Sequence, residues 1–155
     1  YDMSKANKEL EGMGTTVVAV VVRDNVAHIA HAGDSRAYLV NKDGVEQITV
    51  DHSLVQNLVD RGEITKEEAE HHPNKNVITR ALGVDKRIDV DFSEIDMQEN
   101  ETLVLCTDGL SNCVNNSEMA EDIKDGQYYA FADRLVKRAN KNGGNDNITV
   151  VAIAI

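Results

Sequence analysis

Apolar positions along this chain come in short runs separated by Gly, Asn and Asp, and most of the runs have the composition of strands. Thr15 to Arg23 (TTVVAVVVR) is dense in β-branched residues and predicts a buried strand. Asp24-Asn25 suits a tight turn, and Val26 to Gly33 returns as a second strand. Arg36 to Asn41 follows directly after Gly33-Asp34-Ser35, and Lys42-Asp43-Gly44 turns it into Val45 to Val50. These four strands are expected to form one antiparallel meander. Further on, Ile88, Val90 and Phe92 alternate with Asp89, Asp91 and Ser93 as in a half-exposed strand. The two most apolar runs come last: Leu103-Val104-Leu105-Cys106, after a turn at Asn100-Glu101, and Ile148 to Ile155.

Helical patterns fall between these strands. Tyr1 to Leu10 has helix-compatible composition, stops at Glu11-Gly12 and lacks a start signal, so the chain is expected to open inside a helix. Ser53-Leu54-Val55-Gln56 and Thr65-Lys66-Glu67-Glu68 have capping-box spacing. They predict one helix with Leu54, Val55, Leu58 and Val59 on its apolar face, and a second, short one that Pro73 terminates. This polar insertion, residues 51–82, is long for a plain connection and predicts a functional flap. Tyr128, Phe131, Leu135 and Ala139 mark one face of an amphipathic helix closed by Gly143-Gly144.

Each of the two most apolar runs is flanked by a carboxylate. Leu103 to Thr107 leads into Asp108-Gly109, and Gly144-Asn145-Asp146-Asn147 opens the final run. If the two strands lie antiparallel as neighbours, the end of one meets the start of the other. Converging, poorly solvated carboxylates repel unless a proton or a cation lies between them. Hard oxygen ligands point to Mg²⁺ or Mn²⁺ rather than zinc. Ordinary strand-end turns are the competing explanation of both dipeptides.

Length and charge narrow the function classes. A chain of 155 residues is one domain's worth and buries roughly 70% of its unfolded surface. A formal charge of −11, with no long basic stripe, argues against nucleic acid as a partner. No segment has the length and apolarity of a membrane span or the pattern of a secretory signal. Cys106 and Cys113 are spaced too widely for a zinc knuckle, and Cys106 is expected to be a buried reduced thiol. Together these features suggest a cytoplasmic protein.

Five short motifs occur in order: Gly14-Thr15-Thr16, Ala32-Gly33-Asp34-Ser35-Arg36-Ala37, Asp51-His52-Ser53, Thr107-Asp108-Gly109-Leu110 and Gly144-Asn145-Asp146-Asn147-Ile148-Thr149-Val150. Together they resemble the metal-dependent protein serine/threonine phosphatases of type 2C. The flap, with Arg61-Gly62, His72-Pro73 and Asn76 to Gly83, resembles the bacterial branch. The resemblance implies an α+β fold, an antiparallel β-sandwich flanked by helices in α-β-β-α layers. It implies two catalytic Mn²⁺ or Mg²⁺ ions, a third and weaker ion in bacterial members, and direct attack of metal-activated water on phosphoserine or phosphothreonine. Carried over by position, Asp108 and Asp146 match ligands of one catalytic metal, and Asp34 matches an acidic residue that shares Asp108 with the weaker ion. Asn147 matches a neighbour one step removed from the metal, and His52 matches a residue that orients a loop. No catalytic side chain beyond the metal ligands is expected. Asp34 as a simple turn cap is the competing reading, and the other histidines are read as structural or exposed.

The family's acidic N-terminal segment, with its phosphate-binding Arg, and its D-G-x-G-G loop do not occur in these residues. Residues 1–155 are therefore expected to be the C-terminal two thirds of one catalytic domain, incomplete at the N-terminus and inactive alone. The parent is expected to be a monomer acting on phosphorylated proteins opposite a serine/threonine kinase. A non-catalytic phosphatase-like binding or regulatory module is the alternative. A calcium-binding structural domain is disfavoured, because no twelve-residue loop of alternating acidic ligands is present.

Overall fold

A computed structural model describes residues 1–124 and 128–155, and it places the predicted strands in two antiparallel sheets. Strands β1 (Val17–Arg23), β2 (Val26–Ala32) and β5 (Asp91–Asp96) form the first, in the order β1-β2-β5. Strands β3 (Arg36–Asn41), β4 (Gly44–Gln47), β6 (Thr102–Cys106) and β7 (Val150–Ala154) form the second, in the order β4-β3-β6-β7. The Asp24-Asn25 turn joins β1 to β2 as predicted, with both residues at positive φ (51° and 64°), the backbone a two-residue hairpin needs.

The expected single meander does not form. β2 pairs with β5 and β3 with β6, so the chain changes sheets at Gly33-Asp34-Ser35. Hydrophobic alternation identifies each strand but is silent about which partner it takes. Gly33 makes the crossing possible. Its φ is +112°, and a Cβ there would lie 2.3 Å from Thr16 Cγ2, so only glycine fits. β4 also ends earlier than expected, at Gln47, and beyond it Thr49 Oγ1 accepts from the Ala37 N–H in place of a backbone carbonyl.

Two cores result. Ala27, Ile29, Ala37, Leu103 and Leu105 meet between the sheets. Tyr38, Val104 and Cys106 face the other way, onto Leu110, Met119, Phe131, Leu135 and Ala139. β6 is buried along its whole length because its alternate residues serve both cores. Helix α6 (Phe131–Lys141) carries the predicted apolar stripe, with Phe131, Leu135 and Ala139 fully buried. Burial of a side chain such as Phe131 or Leu135 contributes about 1.5–3 kcal/mol. Tyr128 precedes this helix in a 3₁₀ turn and donates its hydroxyl to the Ala152 carbonyl of β7. Burial pushes the Cys106 thiol up to about 12, which keeps it protonated.

Helix α5 (Asn116–Lys124) packs beside α6 and goes beyond the helices that the sequence pattern predicts. Its signal was present: Glu118 N–H donates to Asn115 Oδ1 and Asn115 N–H to Glu118 Oε2, a capping box written Asn-x-x-Glu. Arg138 of α6 binds both oxygens of the buried Asp122 at 2.7 and 2.8 Å and fastens the two helices together.

Helices thus cover the four-stranded sheet. Among the described residues none covers the outer face of the three-stranded sheet, where Val21 is 65% and Phe92 79% exposed. β1 alternates instead of being buried on both faces, and Phe92 points outward while Ser93 and Ile95 point toward the core. The N-terminal helix is also shorter than expected. α1 spans Asp2–Ala6, Asn7 turns extended with its side chain accepting from Glu9 N–H, and a 3₁₀ turn follows at Lys8–Leu10.

The predicted flap holds α2 (Leu54–Asp60), a seven-residue helix that Ser53 caps, and α3 (Lys66–Glu70). Thr65 and Glu68 make the full reciprocal capping box; at Ser53 only half forms, because the Gln56 amide bonds to Asp60. The two ends of segment 51–82 are joined to each other by Leu54 N–H to Val77 O and Thr79 N–H to His52 O, both 2.8 Å, and to the rest of the fold by His52 N–H to Gly33 O at 2.9 Å and Leu82 N–H to Thr15 O at 2.7 Å. Among the described residues no helix is long and apolar enough to cross a membrane.

Candidate metal centre

Register decides what meets at the end of the four-stranded sheet. Arg36 of β3 faces Cys106 of β6, and Cys106 faces Val150 of β7. Asp34 lies two residues before Arg36, Asp108 two after Cys106, and Asp146 four before Val150, so antiparallel pairing brings all three to one end.

The loops carrying Asp108 and Asp146 interlock. Thr107 N–H donates to the Thr149 carbonyl, Thr107 Oγ1 donates to the Asn147 carbonyl, and Thr149 N–H donates to Thr107 Oγ1. Gly109 completes the fit, since a Cβ there would lie 2.3 Å from the Asn147 oxygen. That close approach is the physical reason for glycine after Asp108. Asp108 begins a single helical turn, α4 (Asp108–Ser111), and Leu110 behind it is fully buried, which anchors the turn. Asp146 is exposed and accepts the Asn147 N–H at 2.7 Å. Asn147 is exposed, and its backbone makes the loop contacts.

Asp34 is half-buried at the crossing between the sheets. Burial first, and then the charge of Asp108, raise its carboxyl above the ordinary 3.8. Arg36 offsets this only in part, because its guanidinium is bound to Asp51, with Nε and Nη2 donating at 2.8 and 2.6 Å, and donates also to Tyr38 Oη. Asp108 stands close enough for its charge to raise the Asp34 carboxyl, and among the described residues none of the three aspartates has an ion-pair partner, so their donor chemistry fits a hard divalent cation.

A second cluster lies beside the first and was not assembled from the sequence. His31, His52 and Asp91 place ligand-type atoms within 4.8 Å of one another. The His31 and His52 rings stack at 4.6 Å, and Arg80 reaches Asp91 at 2.7 Å. Cross-strand register makes His31 and Asp91 neighbours. His52 comes from the loop after β4 and Arg80 from the return of the flap, separations no local sequence signal reveals. His52 is nearly enclosed, and burial, ahead of the opposing Asp91 bond, lowers its pKa below 6.5, with Arg80 adding to the shift.

Comparison with known proteins shows the family of the chain. Residues 2–151 match the family model described as Protein phosphatase 2C. The chain is 44% identical over 151 residues to the serine/threonine phosphatase stp of Listeria innocua, covering 97% of this chain and 60% of that protein. Its backbone superposes with a TM-score of 0.96 on serine/threonine phosphatase Stp1 from Staphylococcus aureus, at 40% identity, over 100% of this chain and 61% of the other. The catalytic domain of the phosphatase PstP, solved in complex with two manganese ions, is similar at a TM-score of 0.85 and 36% identity, covering 97% of this chain and 63% of that one. The chain thus spans about 60% of the length of the relatives it matches. Residue motifs, sheet order and these likenesses agree, and the chain belongs to the protein phosphatase 2C family.

Proposed function

We propose that the full-length protein carrying this chain removes phosphate from phosphoserine and phosphothreonine on other proteins, with Mn²⁺ or Mg²⁺ as cofactor. One observation carries the reading: antiparallel register gathers Asp34, Asp108 and Asp146 at one sheet end, where burial and Asp108 raise the Asp34 carboxyl. The names of the relatives and the two manganese ions in PstP support it.

In this reading Asp108 and Asp146 hold one catalytic cation, Asp34 shares Asp108 with a weaker one, and Asn147 steadies the Asp146 loop. Divalent cations held there supply Lewis acidity, which lowers the pKa of water and neutralises charge on the phosphoryl group. The chain's own contribution is position. β6 and β7 fix two carboxylates on interlocked loops, and a rigid placement of the cations they would hold supplies the positioning that phosphoryl transfer requires. Residues 1–155 form part of one catalytic domain, and the flap at 51–82 adjusts which phosphorylated segments reach the site. The natural partners are phosphorylated proteins and, opposite in effect, a serine/threonine kinase. Two unpaired cysteines agree with work in the cytoplasm.

The test is release of phosphate from a phosphothreonine peptide by the full-length protein in millimolar Mn²⁺. Turnover that disappears with chelator is expected. Peptide binding without phosphate release under the same conditions would make the protein a phosphatase-like binding module.

A further inference from the structure

His31, His52 and Asp91 have the composition of a transition-metal site, yet the proton pattern argues otherwise. Gly33 N–H donates to His52 Nδ1 at 3.1 Å, so Nδ1 carries the lone pair and the neutral ring keeps its proton on Nε2. That Nε2–H donates to Asp91 Oδ2 at 3.1 Å. Arg80 Nη1 lies 3.1 Å from the same nitrogen and donates to Asp91 Oδ1 at 2.7 Å, so a fixed positive charge occupies the position a cation would need. His52 Nε2 therefore has no lone pair for a metal.

The same bonds have a different consequence. His52 grips Gly33 twice, since its backbone N–H also donates to the Gly33 carbonyl at 2.9 Å. Gly33 immediately precedes Asp34, and Ser35 on the other side is held by Thr16 Oγ1 at 2.8 Å. Asp34 thus sits between two clamped residues. The His52 ring is oriented on one face by His31, whose Nε2–H donates to the Val50 carbonyl at 2.9 Å, and at its edge by Asp91. Asp91 is in turn bound by Arg80, at the returning end of the flap, and Thr79 N–H donates to the His52 carbonyl.

We infer that His52 is a positioning residue for the Asp34 carboxylate, acting through Gly33, and that Asp91, itself held by Arg80 at the returning end of segment 51–82, accepts from His52 Nε2–H and so keeps Nδ1 free for Gly33. The inference rests on the proposed role of Asp34 as a cation ligand. A ring that keeps Nδ1 unprotonated accepts from Gly33; a ring protonated on Nδ1 would set two donors against each other and release the turn. Outer residues that orient a metal ligand typically alter affinity about 10- to 100-fold when removed.

Nitrogen-15 NMR of the imidazoles in the full-length protein at neutral pH tests the tautomer directly, and amide exchange at Gly33 to Ser35 tests the clamp. Neither measurement depends on activity. His52 is expected as Nε2–H. His52→Phe keeps a ring against His31 but offers no acceptor, and is expected to speed Gly33 exchange and to raise the Mn²⁺ concentration for half-maximal binding about tenfold or more. His52→Asn, whose amide oxygen takes the place of Nδ1, is expected to restore most of both. An Nδ1–H tautomer in the wild type, or unchanged Gly33 exchange in His52→Phe, overturns the clamp. Faster exchange with unaltered Mn²⁺ binding overturns its link to Asp34. Loss of binding that His52→Asn does not recover points to general disruption and overturns it as well. If the wild type binds Mn²⁺ but releases no phosphate, the proposed function fails while these measurements still decide the inference.

Discussion

The two sheets of this protein are built from similar strands and live in different surroundings. In the four-stranded sheet β6 is buried on both faces, against the other sheet and against α5 and α6. In the three-stranded sheet β1 and β5 bury one face and leave Val21 and Phe92 in solvent. Asp108 and Asp146 hang from the four-stranded sheet on loops that interlock, while Asp34 lies at the crossing between the two. The difference teaches where rigidity comes from: Asp108 follows the most buried strand and the Asp146 loop is hydrogen-bonded to it, whereas Asp34 depends on hydrogen bonds from a neighbouring loop.

The largest contrast is expected from side chains of similar chemistry on the two sides. Phe131→Ala removes a fully buried ring from the helix-side core and should cost about 3–5 kcal/mol in denaturant unfolding. A loss below about 1 kcal/mol would show that this core is loosely packed. Gly109→Ala comes next. Its methyl would collide with the Asn147 carbonyl at 2.3 Å, and the forced shift should cost about 1–3 kcal/mol while separating the Asp108 and Asp146 loops. Full stability together with wild-type Mn²⁺ binding in this variant would break the claim that the loops interlock.

A pH titration sharpens the comparison at the crossing. His52 has a folded-state pKa below 6.5, so the unfolded chain takes up its proton first. The contribution to stability is complete above about pH 6.5 and declines as pH falls through that value toward the folded pKa. The thermal midpoint of the wild type should therefore fall between pH 7 and 5 more than that of His52→Asn. Parallel curves would show that His52 is not held neutral. Amide exchange should next be faster in α2 and α3, which contain no fully buried residue, than in β6. Equal protection would remove the reason to treat 51–82 as a flap. The smallest effect is expected at Phe92→Ser, within about 0.5 kcal/mol of the wild type. A larger loss in the full-length protein would reveal that another surface covers this face.

Much of the site was legible because its signals are local. The Asp108-Gly109 and Asp146-Asn147 turns close and open the two most apolar runs, and antiparallel neighbours were the natural pairing for them. Phe131, Leu135 and Ala139 announced α6 by spacing alone. The partners of β2 and β3 were not legible, because the two look alike in pattern and only the backbone at Gly33 sends them to different sheets. Phe92 had the alternation of a core strand but the opposite phase, since residues on either side of it satisfy the same period. The His31, His52, Asp91 and Arg80 cluster was beyond reach for a similar reason: its members come from four segments that meet only once both sheets and the flap are in place.

The central claim is that Asp108 and Asp146, brought together by β6 and β7, hold a divalent cation. Calorimetric titration of Mn²⁺ into the full-length protein and its Asp108→Asn and Asp146→Asn variants tests it most directly, with unfolding of the metal-free forms measured alongside. Each variant is expected to bind Mn²⁺ at least about tenfold more weakly, a loss of about 1.4 kcal/mol, while unfolding like the wild type. Wild-type Mn²⁺ affinity in either stable variant would contradict the account.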